Sequence, residues 1–138
     1  MKVLYTAIMK ATGGRAGKVK SLDESLSFDL SMPKQLGGDG GEGLNPEILF
    51  AAGYSACFDS AMRFVARQKK IELTHSEVTA EVGIGAIRGG GFGLKAELKV
   101  SLPGLEKEVA EDLMHSAHLV CPYSNATRNN IEVTLTLV

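Results

Sequence analysis

Val3, Tyr5, Ala7 and Met9 are apolar residues at alternate positions. Beyond a Gly-Gly-Arg-Ala-Gly turn hydrophobic and polar residues alternate, with Leu26, Phe28, Leu30 and Met32 set against Ser25, Ser27, Asp29 and Ser31. A period of two predicts an antiparallel β unit. Residues 33–43 carry no hydrophobic pattern and six glycines or prolines, which predicts a loop. Asn45 and Pro46 then supply an N-cap and a first-turn proline, and Glu47 suits the positive end of a helix dipole. The helix they open is expected to run to about Gln68, closing on the cations Arg67, Lys69 and Lys70. Its nearly all-round apolar character predicts central burial. The clearest strand pattern follows, with Val78, Ala80, Val82, Ile84 and Ala86 on one face. After Gly89, Gly90 and Gly91 the alternation resumes through Phe92, Leu94, Ala96, Leu98, Val100 and Leu102, so the two runs predict a long hairpin with one buried face. Leu105 to Leu119 reads as a second amphipathic helix, its stripe drawn through Val109, Leu113, Ser116 and Val120. Cys121-Pro122 interrupts it, a short polar turn or helix spans Tyr123 to Asn130, and Val133, Leu135 and Leu137 read as a last strand. The order ββ, α, ββ, α, β predicts an α+β protein with two helices packed on antiparallel sheet.

Composition narrows the function classes. With 138 residues the chain is expected to form a single domain, 1–138, around one core. A net charge of -1 with 44% hydrophobic residues gives no electrostatic bias toward nucleic acid or an anionic membrane. The N-terminal stretch, broken by Thr6 and Lys10, makes a poor secretory signal. The uncharged run Ile48 to Phe58 is far short of the ~20 apolar residues a bilayer requires. A cytoplasmic protein is therefore expected, and in that compartment two lone cysteines point to catalysis or a reduced state.

Those cysteines are the main candidate chemistry. Cys57 lies on the first helix with no cation near it in sequence. An apolar setting raises a thiol's pKa, so the residue reads either as a small buried hydrophobe or as a nucleophile that needs a cation brought to it by the fold. Arg15, between glycines in a tight turn, is one source of that cation, and as an isolated residue it reads equally as a solvated turn arginine. Cys121 stands 121 - 57 = 64 residues from Cys57, so any pairing between them is tertiary. Its place before Pro122 suits a junction that moves, as a resolving thiol must. His115, His118 and Cys121 are spaced by three and could share a helical face, but they lack a fourth ligand and the spacings that accompany zinc sites, so no metal is assigned. The Gly-Gly-Asp-Gly-Gly-Glu-Gly run lacks the lysine and hydroxyl of a phosphate cradle.

The segments Leu4 to Gly17, Leu36 to Phe58, Val82 to Leu94 and Val120 to Ile131 together resemble the Ohr/OsmC family. The motifs NPE..FAAGY.ACF and CPYSNATR point to its organic hydroperoxide resistance branch. The resemblance implies an OsmC/Ohr-like α+β fold, with antiparallel sheets around two central helices, and an intertwined homodimer. It further implies a thiol peroxidase that needs no cofactor, acts on organic hydroperoxides and is reduced by a dithiol such as a lipoylated protein. Carried over by position, Cys57 is the peroxidatic cysteine, Cys121 the resolving one, and Arg15 and Glu47 the pair that activates Cys57. Phe50, Tyr54, Phe58 and Phe64 are candidates to line a pocket for alkyl or fatty-acyl groups, and core packing accounts for the same aromatics. Two positions depart from the branch pattern: the glycine-rich hairpin turn with Arg88, and Asn129 where a glycine commonly follows the arginine. Two other functions remain open for such a chain, an acyl-ligand binding module and a redox sensor.

Overall fold

A computed structural model describes residues 1–138, which divide into two compact units, 1–49 and 50–138. In the first unit, strands β1 (Met9–Thr12), β2 (Lys18–Ser21) and β3 (Ser27–Asp29) form an antiparallel meander in the order β1-β2-β3. Lys10 pairs with Lys20, and Val19 with Phe28. The alternation at Val3 to Ala7 does not become a strand: residues 1–8 are exposed and outside any ladder, because backbone alternation needs a hydrogen-bonding partner that one chain does not offer them. The β2–β3 turn went unpredicted, and it is built from side chains. Asp23 Oδ1 accepts hydrogen bonds from the Ser21 hydroxyl and from the Ser25 amide and hydroxyl. The loop after Met32 is tied down by a 3-10 turn at Lys34–Leu36, by a Leu30–Leu44 bridge and by the Gly43 amide donating to Ser31 Oγ.

Helix α1 (Pro46–Lys69) carries the chain from the first unit into the second, and Asn45 caps it by accepting the Ile48 amide at 2.8 Å. Tyr54, Phe58, Ala61, Met62, Val65 and Ala66 are buried, whereas Ala52, Ala56, Ser60 and Phe64 are exposed. The expected all-round burial thus holds for one side of the helix within a single chain.

The second unit continues with β4 (Glu77–Ala86) and β5 (Phe92–Ser101), the expected antiparallel hairpin, in which Ala80 pairs with Leu98 and Val82 with Ala96. Strand β6 (Glu132–Leu137) pairs with β5 in parallel. This corrects the expectation of purely antiparallel sheet, and two helices between β5 and β6 supply the crossover that parallel pairing requires. They are α2 (Lys107–Val120) and α3 (Pro122–Thr127). The buried stripe of α2 is Ala110, Leu113, Met114 and Ala117, one position off the predicted one, and Val109 and Val120 are exposed. Two alanines on the inner face replace branched bulk and let the helix approach the core. That core joins Tyr54, Phe58 and Met62 of α1 to Leu98 and Val100 of β5 and to Leu113 of α2, all fully buried.

Candidate active site

Arg15 sits in a one-turn 3-10 helix, Gly14–Ala16, that depends on its glycines. Gly13 and Gly14 have φ of 76° and 58°, and a Cβ on Gly17 would lie 1.8 Å from the Thr12 carbonyl oxygen. Only a chain without side chains at these points makes so tight a turn. The guanidinium it presents meets Glu47 in a two-pronged pair, Nη1 to Oε2 at 2.8 Å and Nη2 to Oε1 at 2.7 Å. Glu47 is in the first turn of α1, where the dipole favours an anion, and its side chain is only 12% exposed. The hydrogen bond from Arg15 holds the Glu47 carboxyl below its ordinary value against the opposing effect of burial, and the same bond raises Arg15. The pair is therefore a fixed ionic fork at neutral pH.

In the second unit, Cys57 is half-buried on α1 and Cys121 is fully buried at the junction of α2 and α3. Both thiols are free and their sulfurs are 3.7 Å apart. The junction is fixed from both sides, with the Cys121 amide bonded to the Ala117 carbonyl and the Cys121 carbonyl accepting the Asn125 amide, each at 2.9 Å. Desolvation pushes the Cys57 thiol up, the backbone amide of Tyr123 opposes it, and Cys121 adds to the rise. The contact between the two cysteines runs from the Cys121 sulfhydryl to the Cys57 sulfur.

Of the residues that frame this pair, sequence reasoning named Phe50, Tyr54 and Phe58 but gave no part in the site to Tyr123, Ser124 or Thr127. Tyr123 lies over α1 at Gly53, where a Cβ would come within 2.4 Å of the phenol oxygen, and it packs edge-on against Phe50 with ring centroids 5.7 Å apart. Tyr54 stacks at a tilt on the same ring and hydrogen-bonds through its hydroxyl to Ser124 and Thr127. Of the four aromatic candidates, Phe50, Tyr54 and Phe58 form a contiguous set with Tyr123 and His118, and Phe64 stands apart and exposed. Tyr54 and Phe58 have no exposed surface, so Phe50 is the member with area to offer a substrate. His118 bonds to Ser124 and His115 is exposed, and no three His, Cys, Asp or Glu side chains converge as metal ligands. Asn129 takes the left-handed backbone that a glycine would, with φ of 62°, which explains how this departure from the motif is tolerated. The signal that would have found Ser124 and Thr127 is the clustering of hydroxyls in a turn flanked by two apolar elements, which fits burial as well as capping.

The fold and site define an α+β chain whose first long helix brings Cys57 to a second thiol at a distant helix junction, and comparison with known proteins identifies its family. The model of the OsmC-like protein family matches residues 38–136. An organic hydroperoxide resistance protein of Xanthomonas axonopodis pv. citri is 56% identical, over 99% of this chain and 96% of its own length. The organic hydroperoxide resistance protein OhrB of Bacillus subtilis is 44% identical, over 97% and 98%. The crystal structure of an organic hydroperoxide resistance protein from Elizabethkingia anophelis, with thiocyanate bound, superposes with a TM-score of 0.94 at 57% identity, covering 99% and 98% of the two chains. The chain belongs to the Ohr/OsmC family, on its organic hydroperoxide resistance branch. Its α+β fold is that of the family, as the sequence motifs imply.

Proposed function

We propose that this chain serves organic hydroperoxide resistance as a cysteine-based peroxidase. The observation that carries the reading is the 3.7 Å separation of two sulfurs that lie 64 residues apart in sequence (121 - 57 = 64). In the proposed cycle the Cys57 thiolate attacks the distal oxygen of ROOH, the O–O bond breaks, and the alkoxide takes up a proton to leave as an alcohol. Cys57 is left as a sulfenic acid. The Cys121 thiol then attacks that sulfur, forming the disulfide and releasing water. An external dithiol such as a lipoylated protein exchanges with the disulfide, restoring two thiols and becoming oxidised itself.

Burial raises the Cys57 thiol, so the reading requires a source of positive charge. We assign that role to Arg15, held by Glu47, with the guanidinium also stabilising charge on the departing oxygen. The bidentate geometry supports this assignment, since an arginine held at both terminal nitrogens has its guanidinium plane fixed while keeping donors to spare. Phe50 and Tyr123 are the apolar surface proposed for the alkyl or fatty-acyl group. Homodimer formation is part of the proposal. Met1, Val3, Leu4, Tyr5 and Ile8 are all exposed, and an apolar set of that size is characteristic of an interaction surface. No helix is long and apolar enough to cross a membrane.

The test is steady-state reduction of an organic hydroperoxide with dihydrolipoamide, run beside thioredoxin and glutathione. Turnover with dihydrolipoamide, lost in Cys57→Ser, is expected. Stoichiometric oxidation without turnover by any thiol would favour a redox sensor instead.

A further inference from the structure

Four hydrogen bonds surround the α2–α3 junction and can be assigned proton by proton. Tyr54 Oη lies 3.0 Å from Ser124 Oγ and 3.3 Å from Thr127 Oγ1, His118 Nδ1 lies 2.9 Å from Ser124 Oγ, and Thr127 Oγ1 donates to the Ser124 carbonyl at 3.1 Å. Three hydroxyls supply three protons to these four contacts. A carbonyl only accepts, so the Thr127 proton is committed to it. The Tyr54 proton must then serve Thr127, and the Ser124 proton must serve Tyr54. The Ser124–His118 contact is left with a proton only if the imidazole carries one on Nδ1. Ser124 is fully buried and Thr127 is 2% exposed, so water does not compete for these contacts, and the assignment holds with all four of them made.

We infer that His118, protonated on Nδ1, is a positioning residue for Cys121. His118 and Ser124 stand three residues to either side of that cysteine, one on α2 and one on α3, and their bond spans the break at Cys121-Pro122. A second bond spans it in parallel, from Arg128 Nη2 to the His118 carbonyl at 2.7 Å. Together they fix the angle between the two helices, and with it the sulfur that faces Cys57. Burial, Arg128 and His115 lower the His118 pKa and so favour a neutral ring, which on this assignment carries its single proton on Nδ1. Resting on the proposed peroxidase cycle, the role belongs to its second step: the network holds Cys121 close enough that closure to a bond of about 2.05 Å needs only a small displacement.

The experiment compares wild type, His118→Phe and His118→Asn by rapid mixing with one equivalent of an organic hydroperoxide, following sulfenic acid formation and disulfide closure separately. Asparagine places an N–H donor where Nδ1 stands, and phenylalanine fills the space without one. Closure about tenfold slower in His118→Phe, with sulfenic acid formation changed less than about twofold and closure restored in His118→Asn, is expected from the loss of one buried hydrogen bond. Imidazole nitrogen-15 shifts of the wild-type protein should report an Nδ1–H ring. Closure at the wild-type rate in His118→Phe, or an Nε2–H ring in the wild type, would overturn the inference while leaving the peroxidase reading intact. A wild-type protein that forms no disulfide at all would overturn both.

Discussion

Among residues 1–49 only Leu30 is buried, whereas among residues 50–138 the buried set extends from Tyr54 on α1 to Thr127 on α3. The first unit fixes Arg15 with backbone geometry: three glycines bend the chain, and one carboxylate holds the guanidinium. The second fixes two sulfurs by packing, with Cys121 enclosed in a continuous apolar cluster and its helix junction braced by hydroxyls. A charge must stay near water to remain charged at low cost, and a thiol gains from dry surroundings only when a cation is supplied to it. The contrast explains why the candidate chemistry is split between a half-exposed turn and a core.

The contrast is broken most severely by removing the charge. Arg15→Ala and Arg15→Lys should each lower peroxide reduction about a hundredfold, because lysine lacks the planar fork that Glu47 grips. The pH dependence of Cys57 alkylation checks the cause. On the proposed role of Arg15, its loss moves the thiol pKa further up, and an unchanged profile would show that the cation lies elsewhere. On the packed side, Cys121→Ser should leave the first oxidation intact and lose recycling, with Cys57 advancing to sulfinic acid under excess peroxide. Mass spectrometry after graded oxidant reads this directly, and equal overoxidation in the wild type would remove the resolving role.

Stability changes sharpen the comparison by smaller amounts. Leu113→Ala, in the core of the second unit, should cost about 3 kcal/mol in urea unfolding, whereas Val19→Ala on the half-buried β2 should cost less than about 1 kcal/mol. The smallest effect belongs to the ion pair. Because the folded-state pKa of Glu47 lies below its unfolded value, the pair stabilises at and above neutral pH, and that contribution is lost as pH falls through the lowered folded value. Glu47→Gln should therefore be less stable than wild type near neutrality, and the two unfolding curves should converge in acid. A constant difference across that range would argue against a carboxylate origin.

How much of this was legible in the sequence follows the same division. In the second unit the period of two over Val78–Leu102 predicted β4 and β5 nearly to the residue, because one face of a ten-residue strand must be buried. In the first unit strands of three or four residues carry too little pattern, and the Val3–Ala7 alternation had no partner within the chain. The parallel pairing of β6 could not be read, since alternation fixes which face is buried and not which neighbour is chosen. The stripe of α2 was misplaced because alanine was passed over in favour of valine, although small residues are what a close helix contact selects. At the site, motif resemblance named Cys57, Cys121, Arg15 and Glu47, and of these the structure sets the two sulfurs 3.7 Å apart and joins Arg15 to Glu47. The Tyr54, His118, Ser124 and Thr127 network was hidden because polar side chains in a turn look alike whether they face water or one another.

The most direct test of the account is to add one equivalent of an organic hydroperoxide to the reduced protein and to Cys57→Ser, then measure intact mass and the alcohol released. The account predicts one alcohol per wild-type chain and the loss of two hydrogens, mapped by digestion to a Cys57–Cys121 bond, with no reaction in the variant. Equal alcohol release from Cys57→Ser, or oxidation of the wild type with Cys57 and Cys121 left unlinked, would contradict it.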